Sequence, residues 1–329
     1  MKSVFDQKLS RVCVLSGTGF VGEQVVRELS SQNYAVSVVV RRPERFRQLN
    51  LLPNVSLFAV EDGYSESFFK ACFKGVDVVI NLFADQTCPT ESVDEDQIVG
   101  LAQLVKQVAE QTKVKRVLQL SQIGANASQA TNAWLKALGE ADAITHNMAS
   151  ISTTLFRAGL LIGENDHSTS RYAKQLTRSA FAMIAHAQTQ VQPLWVKDFA
   201  KGLVLSVNNR HHHNTKLEVV GSERMTIKDL AEWVKTLMGI EKALIVPMCQ
   251  LNAKFMLLLG PLAPFKTVTA YQQKLLAVDL VSEQDFIDCF GFEPASLEYA
   301  LSSYVANQPI KQRLDYFRQL AGRKQTDFK

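Results

Sequence analysis

The stretch Arg11-Val12-Cys13-Val14-Leu15-Ser16-Gly17-Thr18-Gly19-Phe20-Val21-Gly22 decides the fold. Residues 11–15 (RVCVL) read as a strand that runs straight into a glycine turn. Val21, Val25, Val26 and Leu29 then recur on one face at helical spacing, and Ala35 to Val40 (AVSVVV) reads as a second strand. Strand, GxGxxG turn, helix and strand make a β-turn-α-β unit of about thirty residues. At such a turn glycines let the backbone approach a pyrophosphate, and the unpaired N–H groups of the helix N-terminus favour an anion. Ser16, Gly17, Thr18, Gly19, Phe20, Val21 and Gly22 are therefore the expected dinucleotide contacts, with the pyrophosphate on the backbone of Thr18 to Val21. A tight turn that holds no ligand is the competing reading.

The second strand ends on Arg41-Arg42-Pro43. A free ribose 2′-OH is usually held by an acid about twenty residues after the glycines. No acid stands at that strand end. Two arginines stand there instead, suited to a 2′-phosphate through charged bidentate hydrogen bonds. Their pattern points to NADP(H) over NAD(H); a solvated arginine pair is the alternative.

The alternation continues. Val55 to Val60 reads as strand three, followed by Glu61-Asp62-Gly63, and Val76 to Phe83 as a strand buried on both faces. Ile98 to Val108 is an amphipathic helix, Val117 to Leu120 a fifth strand, and Ser152 to Phe156 begins a sixth. Strands alternating with helices imply an α/β fold with a doubly wound parallel sheet (Rossmann), with ligands at the carboxyl ends of the strands. After Gly163 the pattern becomes mainly helical, apart from a strand at 217–220 expected to return to the sheet. The expected organisation is a dinucleotide-binding domain over 1–165 plus that return strand, and a smaller, discontinuous substrate or partner lobe over 166–329. Thr226 with Asp229 reads as a capping box opening a helix to Met238.

In order along the chain, SGTGFVG, VVVRR, EDG, DVVINLFA, LSQIGAN, LKALGEA and FRAGLLIGEND resemble the extended and atypical short-chain dehydrogenase/reductase superfamily. Within it, QPLWVKDFAKGL, LEVVGSERMTIKDLAEWV and GFEPASLEYALSSYV resemble the branch of the dehydrogenase-like accessory subunit of respiratory complex I and its bacterial and ubiquinone-biosynthesis relatives. The resemblance spans about residues 10 to 305. It adds Asp62, Leu82, Ala84, Ser121 and Lys136 to the cofactor contacts. It also implies a structural, regulatory or quinone-linked role, with a quinone or lipid-like ligand and contact with a respiratory protein or membrane.

Two departures stand out. Ser16 replaces the superfamily's first phosphate-loop glycine. Asn132 stands four residues before Lys136, where the superfamily's catalytic pair has tyrosine, and no tyrosine lies between Tyr64 and Tyr172. A phenol beside a lysine can do acid–base work near neutrality; an amide does not titrate. Ser121 and Lys136 remain catalytic candidates, the former with a turn-capping alternative, the latter to bind ribose hydroxyls. Trp134 offers no proton acid. Two functions stay open: a protein that holds NADP(H) and works through a partner, or an active oxidoreductase, epimerase or isomerase on a small or lipid-like substrate.

Composition sets outer bounds. The 329 residues are 47% hydrophobic and 21% charged with a net charge of +4, and pI is about 8.7, too weak and dispersed a basicity to argue for nucleic acid. Five scattered cysteines, at 13, 72, 88, 249 and 289, suggest neither a disulfide framework nor a zinc site and fit a reducing cytoplasm. No signal segment or membrane-spanning run is read. His211-His212-His213 is read as an exposed loop rather than a metal site, Asp85 and Glu91 to Asp96 as a solvated loop, and His146 and His186 as lacking partners. Leu257 to Phe265, apolar and flanked by Lys254 and Lys266, is read as core packing, with peripheral contact at the inner face of a membrane as the alternative. The tail from Lys311 is read as amphipathic, then basic and frayed. A bulky residue at Gly19 is expected to abolish dinucleotide binding in a calorimetric titration; unchanged affinity would remove the turn as the site.

Overall fold

The computed structural model describes residues 9–60, 63–89, 92–179, 181–240, 242–248 and 269–305. Seven parallel strands form one sheet, ordered β11-β6-β5-β4-β1-β2-β3. They are β1 (Arg11–Leu15), β2 (Ala35–Val40), β3 (Val55–Ala59), β4 (Val78–Asn81), β5 (Arg116–Gln122), β6 (Ser152–Ala158) and β11 (Thr215–Val219). Every connection is a crossover, and the order reverses at β1, between β2 and β4. That switch point opens a crevice at the carboxyl ends of β1 and β4. Strand β11 pairs with β6 with Leu217 opposite Phe156, so the return strand read from the sequence closes one edge of the sheet.

Helices α1 (Phe20–Ser31), α2 (Glu66–Phe73), α3 (Glu95–Thr112) and α4 (Ala133–His146) cover the sheet. Val21, Val25, Val26 and Leu29 of α1 are all buried, as their spacing requires. A Cβ on Gly22 would lie 2.5 Å from the carbonyl carbon of Gly17, so α1 starts against its own turn with no room for a side chain. Two polar networks stitch the sheet to its surroundings. Asp142 of α4 accepts from Gln119 Nε2 at 3.1 Å on β5 and from Arg157 Nε at 3.1 Å on β6. The fully buried Arg116 donates from Nη1 and Nη2 to Ser152 and Thr154, and burial lowers its pKa to about 10.

The C-terminal part contains α5 (Thr169–Arg178), α6 (Val196–Ser206), α7 (Ile227–Leu237), α8 (Ala270–Leu275), α9 (Phe286–Phe290) and α10 (Leu297–Ser302). Thr226 caps α7 with Asp229 in a reciprocal capping box. A second apolar core gathers here around Tyr172, Leu176, Ile184, Ile227, Leu230 and Leu301. The region is less purely helical than its sequence suggests. Short pairs join β7 (Leu161–Ile162) to β10 (Leu194–Trp195), β9 (Gln190–Val191) to β12 (Met225–Thr226), and β8 (Phe181–Ile184) to β13 (Leu244–Pro247). Runs of two to four residues are too short for alternation to emerge.

Three sequence expectations change. Asp94 to Asp96 form the cap and first turn of α3, with Asp94 and Gln97 in a capping box, where acidic charge favours the helix dipole. His212 is not exposed: it is buried, with Nδ1 2.7 Å from Ser206 Oγ and Nε2 2.9 Å from the Cys289 carbonyl, while His211 and His213 are exposed. His186 has a partner, with Nε2 2.9 Å from Gln273 Oε1. Leu257 to Phe265 and the tail from Lys311 lie outside the described residues. Among those described, no helix is long and apolar enough to cross a membrane.

Ser16 sits at φ 57° with no exposed surface. This left-handed conformation costs an L-residue roughly 1–2 kcal/mol, which explains the glycine at this position in the resembling superfamily. Ser16→Gly should raise the unfolding free energy by about 1 kcal/mol after the extra chain entropy of glycine is subtracted. Urea denaturation measures this, and a drop in stability would contradict the strain.

Candidate functional site

The glycine turn, the ends of β4 and β5, and two segments from the C-terminal part converge on one cleft. Its wall includes Phe20 and Val21 after β1, Ala84, Asp85 and Thr87 after β4, and Ser121 and Gln122 at the end of β5. Opposite them stand His167, Ser168, Tyr271 and Leu275. Gln122 Nε2 donates to the Leu275 carbonyl at 3.1 Å, tying the floor of the cleft to α8.

The glycine turn meets an anion of the chain's own making. The Val21 amide donates to Asp85 Oδ2 at 2.8 Å, and the Phe20 amide donates to Thr87 Oγ1 at 2.8 Å. Thr87 in turn donates to Asp85 Oδ1 from its backbone N–H at 3.1 Å and from its hydroxyl at 2.5 Å. A Cβ on Gly19 would lie 2.3 Å from Asp85 Oδ2, so the turn needs a glycine to admit this carboxylate. Asp85 is 2% exposed, which overturns its reading as part of a solvated loop. Burial raises its pKa, opposed by hydrogen bonds from Thr87, Val21 and Gly22.

The remaining predicted residues divide clearly. Ser16, Thr18 and Ser121 are buried with hydroxyls that find no hydrogen-bond partner among the described residues. Ser121 lies close enough to Asp142 to favour its ionised form without ordinary hydrogen-bond geometry. Leu82 is buried, its N–H donating to the Leu15 carbonyl at 3.1 Å, and Ala84 lines the cleft. The Arg41 guanidinium lies 5.0 Å from the centre of the Tyr64 ring, and Arg42 is exposed beside it. Asp62 lies outside the described residues. Asn132 is the N-cap of α4: its Oδ1 accepts from the Leu135 amide at 2.9 Å and its Nδ2 donates to the Lys274 carbonyl at 3.3 Å. Lys136 does not reach the cleft; it is exposed, with Nζ 3.9 Å from Glu140 one turn on. The expected lysine at the ribose is therefore not assembled here.

His167, Ser168 and Tyr271 carry no sequence motif, so the reading along the chain missed them. Tyr271 lies more than a hundred residues from any cleft partner in the sheet. His167 follows a tight turn held by Asp166, which accepts from the amides of Gly163, Ser168 and Ser170 at 3.0, 3.0 and 2.8 Å and from the Thr169 hydroxyl at 2.5 Å. Burial lowers the His167 pKa, leaving a neutral imidazole, and burial raises the Tyr271 phenol, keeping it protonated. The Asp85 position had a signal: it lies just beyond β4, at the sheet edge where ligands are expected. Among the described residues no three His, Cys, Asp or Glu side chains gather into a metal site.

The family described as NAD(P)H-binding matches residues 17–187. The chain belongs to that family. It is 26% identical over 125 residues to an anthocyanidin reductase of Arabidopsis thaliana, a match covering 35% of this chain and 36% of the plant protein. The chain thus matches about a third of the length of that curated relative. Two solved structures share the fold. Triphenylmethane reductase of Citrobacter sp., complexed with NADP(H), has a TM-score of 0.67 at 17% identity, covering 89% of this chain and 99% of that one. The NADPH-dependent quinone oxidoreductase of Escherichia coli has a TM-score of 0.66 at 15% identity, covering 89% and 98%. A nicotinamide dinucleotide is the ligand of this family. The buried, unpaired hydroxyls of Ser16, Thr18 and Ser121 suit such a polar ligand; the amides of Phe20 and Val21, as they stand, do not, because Thr87 and Asp85 hold them.

Asp166 generates a stability prediction. Its pKa is raised to about 6 by burial, against about 4 in an unfolded chain. The folded state therefore binds its proton more tightly, and this contribution is full below about pH 4 and lost as pH rises through about 6. Asp166→Ala leaves three amides without their acceptor and should cost about 2–4 kcal/mol at neutral pH. The deficit should widen as pH falls from 6 towards 4, read by urea unfolding; a deficit that narrows would reverse the sign.

Proposed function

We propose that the protein holds an NADP(H) dinucleotide across the carboxyl edge of its sheet and works without a Tyr–Lys proton relay. Its role in this reading is structural, regulatory or linked to quinone chemistry, in keeping with the resemblance to the complex I accessory subunit and its relatives. The observation that carries the reading is Asn132. The position at which a phenol would act is a helix cap, and Lys136 turns to Glu140 in solvent. An amide in that place orients α4 but moves no proton.

The proposed contacts are the glycine turn from Ser16 to Gly22, Arg41 and Arg42 at the 2′-phosphate, Leu82 and Ala84 beside the dinucleotide, and Ser121 at its nicotinamide end. When bound, the nicotinamide supplies a hydride. Arg41 is already steered by the Tyr64 ring, which holds a guanidinium without neutralising it. Ser121 presents a hydroxyl at the floor of the cleft, where it can donate to a carbonyl oxygen.

One observation favours the second reading, an active reductase. His167 and Tyr271 face the same cleft, their rings 5.5 Å apart edge to face. The raised phenol and the neutral imidazole can orient a carbonyl oxygen by hydrogen bonding; neither is poised to exchange a proton readily at neutral pH.

The expected result is that NADPH binds more tightly than NADH, and that replacing Arg41 and Arg42 by alanine costs on the order of 2–4 kcal/mol for NADPH and little for NADH, at about 1.5–3 kcal/mol for each charged hydrogen bond before non-additivity. Calorimetric titration of both cofactors checks this, and equal wild-type affinities would refute the arginine assignment. Following the nicotinamide absorbance with quinones and carbonyl compounds separates the two readings: turnover abolished by Tyr271→Phe would establish the active reductase.

A further inference from the structure

At the N-terminus of α1 a carboxylate lies where the dinucleotide reading puts a pyrophosphate. We propose that Asp85 is a built-in competitor for the dinucleotide's phosphates, so that cofactor enters only when the Asp85–Thr87 segment is displaced. This inference rests on the dinucleotide reading above and concerns how that site is controlled.

Four facts carry it. Both leading amides of the turn are already used, Val21 by Asp85 and Phe20 by Thr87, each at 2.8 Å. The two acceptors are locked to one another through Asp85 Oδ1 and Thr87, so they leave together. The capping residue of this 12-residue helix, Gly19, has no side chain to offer, and Asp85 Oδ2 lies 2.3 Å from the place its Cβ would take. The hydroxyls of Ser121 and Ser168, buried, unpaired and lining the same cleft, mark the rest of the space as built for a polar ligand.

Charge makes the competition strong. Groups that face Asp85 from neighbouring elements are the neutral His167 imidazole and the Tyr271 phenol, and neither supplies a positive charge. The strongest influences on its ionisation are burial and the hydrogen bonds from Thr87, Val21 and Gly22. Among the described residues the carboxylate is held by backbone and hydroxyl donors, the kind of donors a phosphate uses at a helix N-terminus. Two anions cannot share them, and side by side they repel. A site whose competent form is a fraction of the population binds its ligand more weakly by that fraction. Removing the competitor should restore the lost affinity.

The experiment titrates the full chain, as wild type, Asp85→Asn and Asp85→Ala, with NADPH, ADP and adenosine by calorimetry, with circular dichroism confirming the fold of each. Asp85→Asn keeps the size of the side chain and one acceptor for the Val21 amide, so it guards against loss of the turn. Both variants should bind NADPH and ADP at least tenfold more tightly than wild type, with adenosine, which has no phosphate, unchanged. In wild type, hydrogen exchange should rise across residues 84–88 on saturation with NADPH. Equal or weaker binding by the variants overturns the competitor while leaving the dinucleotide reading intact. A gain that extends equally to adenosine also overturns it, because the effect would then not lie at the phosphates. If none of the three folded proteins binds NADPH or ADP, the dinucleotide reading itself fails and the inference falls with it.

Discussion

The first turn of α1 leaves amide hydrogens that no carbonyl of the helix can accept, and the way they are met organises the molecule around them. Gly22 lets the helix start hard against the turn, and Ser16 accepts a left-handed backbone to bring the turn round. Gly19 leaves room for a foreign oxygen at the cap. Into that room β4 extends Asp85 and Thr87, from more than sixty residues away. The contact ties the two strands that flank the switch point of the sheet. It also explains how this carboxylate survives burial: charge-assisted hydrogen bonds, at about 1.5–3 kcal/mol each, offset much of its lost hydration.

A second constraint concerns α4. In this chain the helix begins at Ala133, and Asn132 satisfies the free Leu135 amide while reaching across to the Lys274 carbonyl. The residue four further on then projects into solvent beside Glu140. Asp142 lies on the inner face of the same helix and is committed to Gln119 and Arg157. Helix α4 thus fastens to β5 and β6 through its middle and to α8 through its cap. Asn132 and Asp142 both serve as mechanical support for the helix.

Most of the sheet was legible in the sequence because its signals are local. RVCVL, AVSVVV and the apolar run at 76–83 carry strand character on their own, and Thr226 with Asp229 announces a helix start within four residues. The capping role of Asp94 was equally local, but a cluster of acids reads first as solvated surface. Asp85 was misread for the opposite reason. Its environment depends on an amide at Val21, and no pattern within the loop encodes that distance. His167 and Tyr271 follow the same rule: each is placed by turns and helices whose positions are set by tertiary packing. His212 was hidden inside a polar triplet of which it alone faces inward.

The two walls of the cleft have different ancestries in the chain. One rests on the sheet: the glycine turn, the loop after β4 and the end of β5. The other is borrowed, with His167 held by the Asp166 turn and Tyr271 carried on α8, which Gln122 and Asn132 tether through single hydrogen bonds to backbone carbonyls. Substitutions in the borrowed wall can therefore alter the shape of the cleft at its far end while the glycine turn stays as it is. One wall is fixed by the sheet, the other by the packing of α8 and the Asp166 turn.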